Sequence, residues 1–406
     1  MSKTSVPDAL PLAGIRVLDI ATFIAAPYCA AILGEFGAEV IKVEKPGAGD
    51  PFRAFGTPSD RADSTLAWLS EARNKKSITL DLGRPEGAQL FLRLVAESDV
   101  VCENFRPGTL ESWGLGYDAL KAVNPGLILL RVSGYGQTGP DRAQPGFARI
   151  AHAVGGLSHL AGLPGGIPVT PGSTSLADYL AGLYGAVGVL LALRAREHGG
   201  SGQVIDTALT ESVFRVLDEI APAYAKTGFV REAMGAGTVN VCPHGHYPTA
   251  DGKWVAIACT NDKMFARLAA VMGRGELAEP GRFGTVAARL AARQEVDGLV
   301  AAWTGGQARA AVLARCRDGA VPCGPINTIA DIFADPQFAA RRVLETIVDP
   351  EAGEMVVPGV LPRLSETPGR IASLGPALGA SNAEIYGVRL GLDAETIAAL
   401  KEKGVV

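Results

Sequence analysis

Short apolar segments alternate with helical segments through the first third of the chain, and this alternation limits the fold more than any other feature. The segments that read as strands are rich in valine, isoleucine and leucine and are flanked by helix or turn signals. They cover residues 15–20, 38–44, 77–82, 99–105 and 127–133, with a further strand at 202–208. A helix at 25–36 and a helix opened by Pro85 lie between them, and an amphipathic helix is predicted at 211–227 after the last of these strands. Repeated βαβ units predict a Rossmann-like parallel sheet, with helices on both faces and ligands at the carboxyl ends of the strands.

The turn after the first predicted strand argues against one common use of this architecture. Dinucleotide-binding domains carry G-x-G-x-x-G there, whereas the residues between Asp19 and Pro27 are Ile-Ala-Thr-Phe-Ile-Ala-Ala. Glu44 does lie where a ribose-binding acid is expected. Without the glycines, however, the backbone cannot approach a pyrophosphate closely, so nicotinamide chemistry is a remote alternative.

The amount of apolar sequence and a later change of pattern predict two domains. The chain has 406 residues, of which 48% are hydrophobic and 20% are charged, so it can bury a large core. Beyond residue 225 a hairpin turn at 249–252 is followed by short helices rich in alanine and arginine. We therefore predict a large domain at 1–225, completed by the segment 330–406, and a smaller α+β domain at 226–329.

Charge and cysteine content narrow the classes of partner. The formal net charge of −4 gives no basic surface for nucleic acid or for an anionic membrane, so small molecules or other protein chains are the expected partners. The six cysteines are scattered without CxxC pairs, which argues against a metal site or a disulfide scaffold and is typical of a reducing compartment. The first residues lack the pattern of a signal peptide, and a cytoplasmic location is predicted.

One acid stands at the mouth of a long apolar helix. The loop Pro171-Gly-Ser-Thr-Ser-Leu-Ala-Asp178 leads into an apolar run at 176–193, and no countercharge follows Asp178 before Arg194. The run contains this acid and several glycines, so it reads as a buried core helix rather than a membrane span. Ser175-x-x-Asp178 also fits a capping box, in which the acid satisfies free amides of the first turn. On local pattern alone, capping is the more common role for such an acid.

Six stretches in order along the chain carry further information. They are Leu12-Ala-Gly-Ile-Arg-Val-Leu-Asp, Gly37-Ala-Glu-Val-Ile-Lys-Val-Glu, Arg73-Asn-Lys-Lys-Ser-Ile-Thr-Leu-Asp-Leu, Glu103-Asn-Phe-Arg-Pro-Gly, Gly134-Tyr-Gly-Gln-Thr-Gly-Pro and the Asp178 helix. Together they resemble the family III coenzyme A transferases, which include formyl-CoA:oxalate and carnitine CoA-transferases. The resemblance implies that Asp178 is the nucleophile and forms an aspartyl-CoA thioester. It also implies a CoA thioester as substrate, no cofactor or metal, and an interlocked dimer.

The same resemblance assigns the CoA contacts. They lie mainly at strand ends and in one basic cluster, and they are Phe23, Ile24, Lys45, Arg73, Lys75, Lys76, Asn104, Phe105, Arg106 and Tyr135. Lys45 stands where the family usually has arginine, so it would contact a phosphate as a point charge rather than as a fork. The ordinary alternatives are a solvated turn for the basic cluster and core packing for Phe105 and Tyr135.

The stretches around Phe147 and Asp178 are similar to the branch that transfers CoA from succinyl-CoA to small dicarboxylic acids such as malate, citramalate or itaconate. An acceptor with a second carboxylate needs a basic group, and the candidates are Arg149, His244 and His246. A metal site at the two histidines is disfavoured, because no acids or cysteine pairs lie near them in sequence.

Two alternatives remain open at this stage. α-Methylacyl-CoA racemases share the fold but pair the aspartate with a His-Asp dipeptide, and here Phe147 and Ala148 occupy those places. His152 comes later in the sequence and is more typical of a buried helix histidine than of a catalyst. The second alternative is a non-catalytic CoA-binding subunit, since some members of the family work as pairs of unlike subunits.

Overall fold

The computed structural model describes residues 10–406, which divide into two units. The first unit contains the residues up to Leu157 together with Thr170–Ala223 and Ala339–Val406. The second contains Ser158–Val169 and Tyr224–Phe338. The chain therefore leaves the first unit twice, for the segments 158–169 and 224–338, and returns to it each time.

Six parallel strands form the sheet of the first unit. They are β1 (Arg16–Asp19), β2 (Glu39–Glu44), β3 (Lys75–Thr79), β4 (Val100–Glu103), β5 (Ile128–Ser133) and β6 (Val204–Ala208). Their order across the sheet is β3-β2-β1-β4-β5-β6, and Val17 of β1 lies between Val40 and Val100 of its two neighbours. The predicted parallel α/β sheet is confirmed. Because the order reverses between β1 and β4, a crevice opens beyond their carboxyl ends.

Helices cover both faces of this sheet. The helices between Ala25 and Thr227 are α1 (Ala25–Glu35), α2 (Leu66–Glu71), α3 (Pro85–Ala96), α4 (Thr109–Ser112), α5 (Tyr117–Val123), α6 (Ala148–Val154), α7 (Leu157–Leu160), α8 (Leu176–Glu197), α9 (Leu209–Phe214) and α10 (Ile220–Thr227), with a 3-10 turn at Pro51–Ala54. Of these, α7 lies largely in the second unit, and α10 spans the division between the units. Successive strand residues point to opposite faces. Val17 packs in the core that contains α1 and α8, and Leu18 packs in the core that contains α3 and α5.

Helices α1 and α8 approach each other closely at a glycine. A β-carbon at Gly182 would lie 2.6 Å from the backbone oxygen of Ala25, nearer than any side chain tolerates. At Gly185 it would lie 2.8 Å from Cδ2 of Leu130 on β5. The small residues of α8 therefore seat the helix against the sheet and against the start of α1.

The outer face of α8 differs from the sequence prediction of a buried helix. Leu183, Tyr184, Val187, Leu190 and Leu191 are between 38% and 65% exposed. Within the part of the chain that the structure describes, α8 is the one helix that is long and apolar enough to span a membrane. A core helix passes the same test, and 44% of its apolar stretch is buried, so this is weak evidence for a membrane span.

One predicted helix is divided. The sequence predicts a continuous helix at 211–227, but α9 ends at Phe214 and α10 begins at Ile220. Between them Asp218 has a φ of +60°, which no right-handed helix contains. Pro222 gives the reason, since its ring would clash with the carbonyl four residues earlier but fits the first turn of a new helix.

The second unit has an antiparallel sheet formed by β7 (His244–Pro248), β8 (Trp254–Ala258) and β9 (Cys323–Pro325). The predicted hairpin around 249–252 is the β7–β8 pair. The remaining helices of this region are α11 (Asp262–Val271), α12 (Val286–Ala291), α13 (Arg293–Gly305), α14 (Arg309–Asp318), α15 (Ile329–Ala334) and α16 (Pro336–Ala340), with a 3-10 turn at Gly275–Ala278. Tyr247, Val255 and Phe265 lie in their shared core.

The C-terminal segment completes the first unit. It forms the antiparallel hairpin of β10 (Leu344–Asp349) and β11 (Gly353–Pro358), a π-helix at Ala383–Arg389 and the helix α17 (Ala394–Glu402). Tyr386 and Val405 are fully buried in the core that contains α3 and α5. The last residues of the chain therefore cover one face of the sheet.

Candidate functional site

A cleft of about 200 Å³ opens where the strand order of the large sheet reverses. The loop after β1 contributes residues 22–25, the loop after β4 contributes residues 104–107, and the end of β5 contributes Ser133 and Gly134. The first turn of α8 brings Asp178 to the same cleft. The structure therefore places the predicted nucleophile beside three of the strand ends at which the sequence predicts ligands.

Asp178 is partly buried, and its carboxylate has no partner within residues 10–406. None of the described residues donates a hydrogen bond to its carboxylate or forms an ion pair with it. Burial raises the pKa of Asp178 from its usual value near 4 to about 7, because water is excluded and no positive charge compensates. An unpaired carboxylate of this kind is more basic and more nucleophilic than an ordinary surface aspartate.

The N-terminus of α8 is capped from outside the helix. Ser175 occupies the N-cap position, but its hydroxyl makes no capping hydrogen bond. The Nε2 atom of His152 on α6 instead accepts the backbone N–H of Ala177 at 3.0 Å. The capping box that the sequence allows is not formed, and Asp178 takes no part in closing its own helix.

The loop after β1 holds an aromatic residue in an unusual backbone conformation. Phe23 has a φ of +60°, which is unfavourable for a large side chain, and its backbone N–H donates to Oδ1 of Asp50 at 3.1 Å. Its ring makes edge-on contacts with Phe55 and Phe147 at centroid distances of 6.1 and 6.2 Å. These contacts keep the Phe23 ring in the wall of the Asp178 cleft.

Asn104 ties the loop after β4 to the loop after β1. Its Oδ1 accepts the backbone N–H of Thr22 at 2.9 Å, and its Nδ2 donates to the Thr22 carbonyl at 2.7 Å. Both ends of the amide are therefore engaged with the loop after β1. Asn104 shapes the cleft wall that the sequence predicts it to line.

A buried network of ion pairs lies beneath the loop after β1 and fixes the position of Asp50, which binds that loop. Nζ of Lys42 lies 2.8 Å from Oδ2 of Asp50 and 3.6 Å from Asp19, and it also donates to the Ala21 carbonyl. Nζ of Lys75 lies 2.8 Å from the second oxygen of Asp19. The nearby carboxylates raise the pKa of Lys42 and keep it charged despite complete burial. Asp50 is fixed by this network and can hold the Phe23 loop in turn.

Two of the three side chains of the predicted basic cluster, those of Arg73 and Lys75, are buried in ion pairs within the protein. Lys75 is 5% exposed and pairs with Asp19, and Arg73 is 6% exposed with its Nε 2.8 Å from Glu35. Lys76 pairs with Glu39 at 2.8 Å on the surface. None of these three side chains lines the Asp178 cleft. Their role in CoA binding stays a prediction that the geometry does not favour.

Two arginines lie in the Asp178 cleft. Arg106 follows β4 and is a predicted CoA contact, whereas Arg142 follows the Gly-Gln-Thr-Gly-Pro turn after β5 and is absent from the predicted site. Both are exposed. The rule that ligands collect at the carboxyl ends of parallel strands covers this loop, and applying it through residue 142 would have found Arg142.

Free amides reach the cleft from a second helix. Ile24 is the N-cap residue of α1 and has no side-chain capping bond, and Ile24 and Ala25 both line the cleft. Their backbone N–H groups have no acceptor among the described residues. The first amides of a helix carry partial positive charge and bind anionic oxygen well.

A second cleft, of about 340 Å³, adjoins the first. Thr22 and Phe105 line both clefts, and Trp113, whose ring meets that of Phe105 edge-on at 5.1 Å, lines the second. Lys45 is exposed at its edge. An apolar, aromatic cleft with a cation at the rim suits a heteroaromatic group that carries phosphate.

The remaining predicted site residues lie elsewhere. Tyr135 follows β5 but lines neither cleft, and Arg149 is exposed on α6 without lining either cleft. His244 and His246 lie on β7 in the second unit, where they line a cavity with Arg293. Phe147, which stands where a racemase would have its histidine, is part of the Asp178 cleft.

The described residues contain no group of three or more His, Cys, Asp or Glu side chains arranged to hold a metal ion. All six cysteines are free, and five of them are buried. Among the residues that line the first cleft, Asp178 is the one carboxylic acid. The charged groups among the lining residues of the first cleft are thus one carboxylate and two arginines.

Comparison with known proteins gives a consistent result. Residues 12–382 match the family described as CoA-transferase family III. The chain is 56% identical over 399 residues to the alpha subunit of succinyl-CoA–L-malate CoA-transferase from Chloroflexus aurantiacus, covering 98% of this chain and 93% of that one. It is 58% identical to the beta subunit of that enzyme, with 98% of both chains covered. It is 46% identical to succinyl-CoA–D-citramalate CoA-transferase from the same organism, again with 98% of both chains covered.

A solved structure is similar over nearly the whole chain. It is that of a CAIB/BAIF family protein from Brucella suis, which is 37% identical and has a TM-score of 0.83. The match covers 94% of this chain and 100% of the Brucella protein. The fold described above is therefore shared at full length.

Proposed function

The chain belongs to CoA-transferase family III, and we propose that it transfers CoA from succinyl-CoA to a small dicarboxylic acid through a covalent thioester on Asp178. That it is a CoA-transferase follows from relatives of that name at 46–58% identity over nearly its full length. The observation that carries the covalent route is the unpaired carboxylate of Asp178, whose pKa burial raises to about 7, in the cleft of the sheet crevice.

The donor half of the reaction begins with the Asp178 anion. Its oxygen attacks the thioester carbonyl of succinyl-CoA, the C–S bond breaks, and a mixed aspartyl-succinyl anhydride and CoA thiolate are formed. The thiolate then attacks the aspartyl carbonyl. This step forms the aspartyl-CoA thioester and releases succinate.

The acceptor half repeats these steps in reverse. A carboxylate of the acceptor attacks the aspartyl thioester, which gives a second mixed anhydride and frees CoA thiolate again. The thiolate attacks the acyl carbonyl derived from the acceptor. The products are the acceptor's CoA thioester and the regenerated Asp178 carboxylate, so no proton or electron is gained or lost overall.

The tetrahedral oxyanions of these steps need donors in the cleft. The free backbone N–H groups of Ile24 and Ala25 at the start of α1 line the cleft together with Asp178. We assign them to oxyanion stabilisation, because helix-terminal amides are fixed in place before the charge develops. The rings of Phe23 and Phe147 exclude water from anhydrides that hydrolysis would otherwise consume.

Coenzyme A would lie across both clefts. Its adenosine fits the aromatic second cleft near Trp113, with Lys45 positioned for a phosphate at the rim. The pantetheine arm then passes Thr22 and Phe105, which line both clefts, and brings the thioester to Asp178. Of the predicted CoA contacts, Phe23, Ile24, Lys45, Asn104, Phe105 and Arg106 lie along this path.

The acceptor is assigned from charge and from the names of the relatives. Arg106 and Arg142 are the cations of the Asp178 cleft, and a dicarboxylate has one carboxylate to react and one to be held. The similar enzymes are named for L-malate and D-citramalate. We therefore propose malate, citramalate or a related acid such as itaconate as acceptor, with Arg142 as the contact for the second carboxylate.

The exposed apolar face of α8 supports assembly with another chain of this family. Five large apolar side chains on one helix face are typical of a protein interface. Two similar chains are named as alpha and beta subunits of one enzyme, whereas the D-citramalate enzyme is named without a subunit. We propose an interlocked homodimer, with a pair of unlike subunits as the alternative, acting in the cytoplasm.

A transfer assay with purified protein tests the proposal. Succinyl-CoA is supplied with L-malate, D-malate, D-citramalate, itaconate or glutarate in turn, and new acyl-CoA is separated by liquid chromatography. The proposal predicts a new CoA thioester with at least one four- or five-carbon dicarboxylate and none with the Asp178→Ala variant. Transfer by Asp178→Ala at the wild-type rate would contradict it.

The racemase alternative predicts a different outcome. A racemase would exchange the α-proton of a 2-methylacyl-CoA with D₂O and form no new CoA thioester. Two-base proton transfer needs a second base, and the described lining of the cleft contains Phe147 rather than a histidine or a second acid. We therefore expect no deuterium exchange above that of the Asp178→Ala control.

A further inference from the structure

His152 is a buried histidine with one hydrogen bond of known direction. It lies on α6, which packs against α8 and α9, and it is 1% exposed. Its Nε2 accepts the backbone N–H of Ala177 at 3.0 Å, and its Nδ1 is buried without a hydrogen-bond partner among the described residues. A ring nitrogen that accepts a hydrogen bond carries no proton, so the neutral ring has its proton on Nδ1. Burial and the nearby charge of Arg149 lower the pKa of His152 and keep the ring neutral.

The amide that His152 binds belongs to the residue before the nucleophile. The first N–H groups of any helix have no acceptor within the helix, and a side chain near the start of the helix usually supplies one. At α8 the local supplier for the Ala177 amide would be Ser175 at the N-cap, and in a capping box the Asp178 carboxylate would also accept the backbone N–H of Ser175. Neither performs this role in the structure, and the acceptor comes from α6 instead.

We propose that His152 is a positioning residue for the transfer reaction: by capping Ala177, it removes the need for Asp178 to cap its own helix and leaves that carboxylate free in the cleft. This inference rests on the proposed role of Asp178 as nucleophile. It assigns to His152 no contact with the substrate and no proton transfer.

The chemical consequence follows from what capping would do to the nucleophile. A carboxylate that accepts backbone N–H groups at a helix start is stabilised as an anion, which lowers its pKa and its nucleophilicity. It also turns towards the helix axis and away from a substrate thioester. Without an acceptor from His152, Asp178 is the acid of the first turn that can turn towards the unsatisfied amides there.

Two amide substitutions separate this role from simple packing. The side-chain amide of His152→Gln reaches the position of Nε2 and can accept the Ala177 N–H, whereas that of His152→Asn reaches only the position of Nδ1. Both variants keep a polar, uncharged side chain on α6. We expect His152→Gln to keep kcat within about threefold of wild type and His152→Asn to lose on the order of tenfold or more, with little change in KM for succinyl-CoA.

The pH profile gives the second readout. In His152→Asn the acidic limb of kcat/KM should move down by about one pH unit or more, because the carboxylate now accepts backbone amides. In His152→Gln it should stay at the wild-type position. The charged groups that share the cleft, Arg106 and Arg142, are unchanged in both variants.

The inference would be overturned if the two variants had equal activity, whether high or low, and the acidic limb of the pH profile did not move. It would also be overturned if His152→Asn were more active than His152→Gln. Thermal unfolding of each variant identifies a loss caused by misfolding, and if His152→Asn does not fold, His152→Ser provides the variant without an acceptor at the ε position. Asp178→Ala is measured in parallel. Transfer by that variant refutes the covalent function itself, whereas an inactive Asp178→Ala with a fully active His152→Asn refutes the role of His152 alone.

Discussion

At the scale of single residues, the protonation of Asp178 should govern the rate. Only the anion attacks a thioester, and burial raises the pKa of Asp178 to about 7. Below that pH the protonated form dominates, so kcat/KM for succinyl-CoA should fall about tenfold per pH unit, and above it the rate should level off. Initial rates across roughly pH 5 to 9 would test this. An acidic limb near pH 4, the value of an ordinary aspartate, would contradict it.

Two arginines separated by seven positions provide a matched test of acceptor binding. Arg142 lines the Asp178 cleft, whereas Arg149, the candidate from the sequence, is exposed on α6 outside it. We expect Arg142→Gln to raise KM for the dicarboxylate about tenfold or more, since a carboxylate loses a charged partner. Arg149→Gln should stay within about twofold of wild type. The reverse ranking would return the role to Arg149.

The sequence indicates some residue roles and misses others for a physical reason. Asp178 stands out because an acid without a countercharge precedes an apolar helix, and the resemblance then gives it a function. The pairing of Lys75 with Asp19 and of Arg73 with Glu35 is not visible, because these partners are distant in sequence and meet only when the sheet forms. Nor does the sequence show that His152 reaches Ala177 on another helix.

At the scale of elements, the close contact of α1 and α8 fixes where Asp178 lies. A methyl group at Gly182 would meet the Ala25 carbonyl, and Ala25 belongs to the cleft wall. Gly182→Ala should therefore destabilise the protein by about 1–3 kcal/mol and reduce kcat, as the two helices separate. Urea unfolding and the transfer assay measure the two effects.

Gly298 provides the control for that substitution. It lies within α13, and a β-carbon there would meet no atom within 4 Å. Gly298→Ala should be neutral or stabilising by up to about 1 kcal/mol, because alanine favours a helix and nothing obstructs it. A Gly182→Ala variant as stable as Gly298→Ala would show that the helices do not need the close approach.

Helices and strands with a clear periodicity of apolar residues are predicted well. The residues at which they end, or at which a helix is interrupted, are predicted less well. The strand predicted at 77–82 is present as Lys75–Thr79. The prediction extended too far towards the C-terminus because the apolar pattern continues beyond Thr79, the last residue of β3 that pairs with β2. The prediction of one helix at 211–227 was wrong because it did not take Pro222 into account. A proline at that position is a sequence signal for the start of a new helix. Which face of α8 is exposed cannot be predicted from the sequence, because the helix is apolar on all sides and has no polar face to mark the solvent side.

At the scale of the whole molecule, the apolar face of α8 predicts that the chain does not act alone. Leu191 is 65% exposed, the largest exposed fraction among the five side chains of this face, and a charge there should disrupt an interface. We expect wild type to have at least twice the mass of the chain in light scattering, and Leu191→Glu to lower it. Val388→Glu is the control, because Val388 is 84% exposed on the π-helix of the C-terminal segment. A monomeric wild type would contradict the prediction.

The architecture is the part that follows most directly from the sequence. Repeated βαβ units give a parallel sheet, and the sheet gives a crevice at its carboxyl edge, where the Asp178 cleft is found. The order of strands is not encoded in any local pattern, because it depends on which crossovers pack together. The segment 330–406 is predicted to complete the large domain, but no local pattern shows which face of the sheet it covers.

The central claim is the covalent thioester on Asp178, and direct trapping tests it best. Purified protein is mixed with succinyl-CoA, quenched with borohydride, which reduces an aspartyl thioester to the alcohol, and digested with trypsin. Mass spectrometry is then applied to the peptide from Ile150 to Arg194. The account predicts loss of one carboxyl oxygen with gain of two hydrogens at Asp178, dependent on succinyl-CoA. An unmodified Asp178 in enzyme that is turning over, or the same change at another acid, would contradict it.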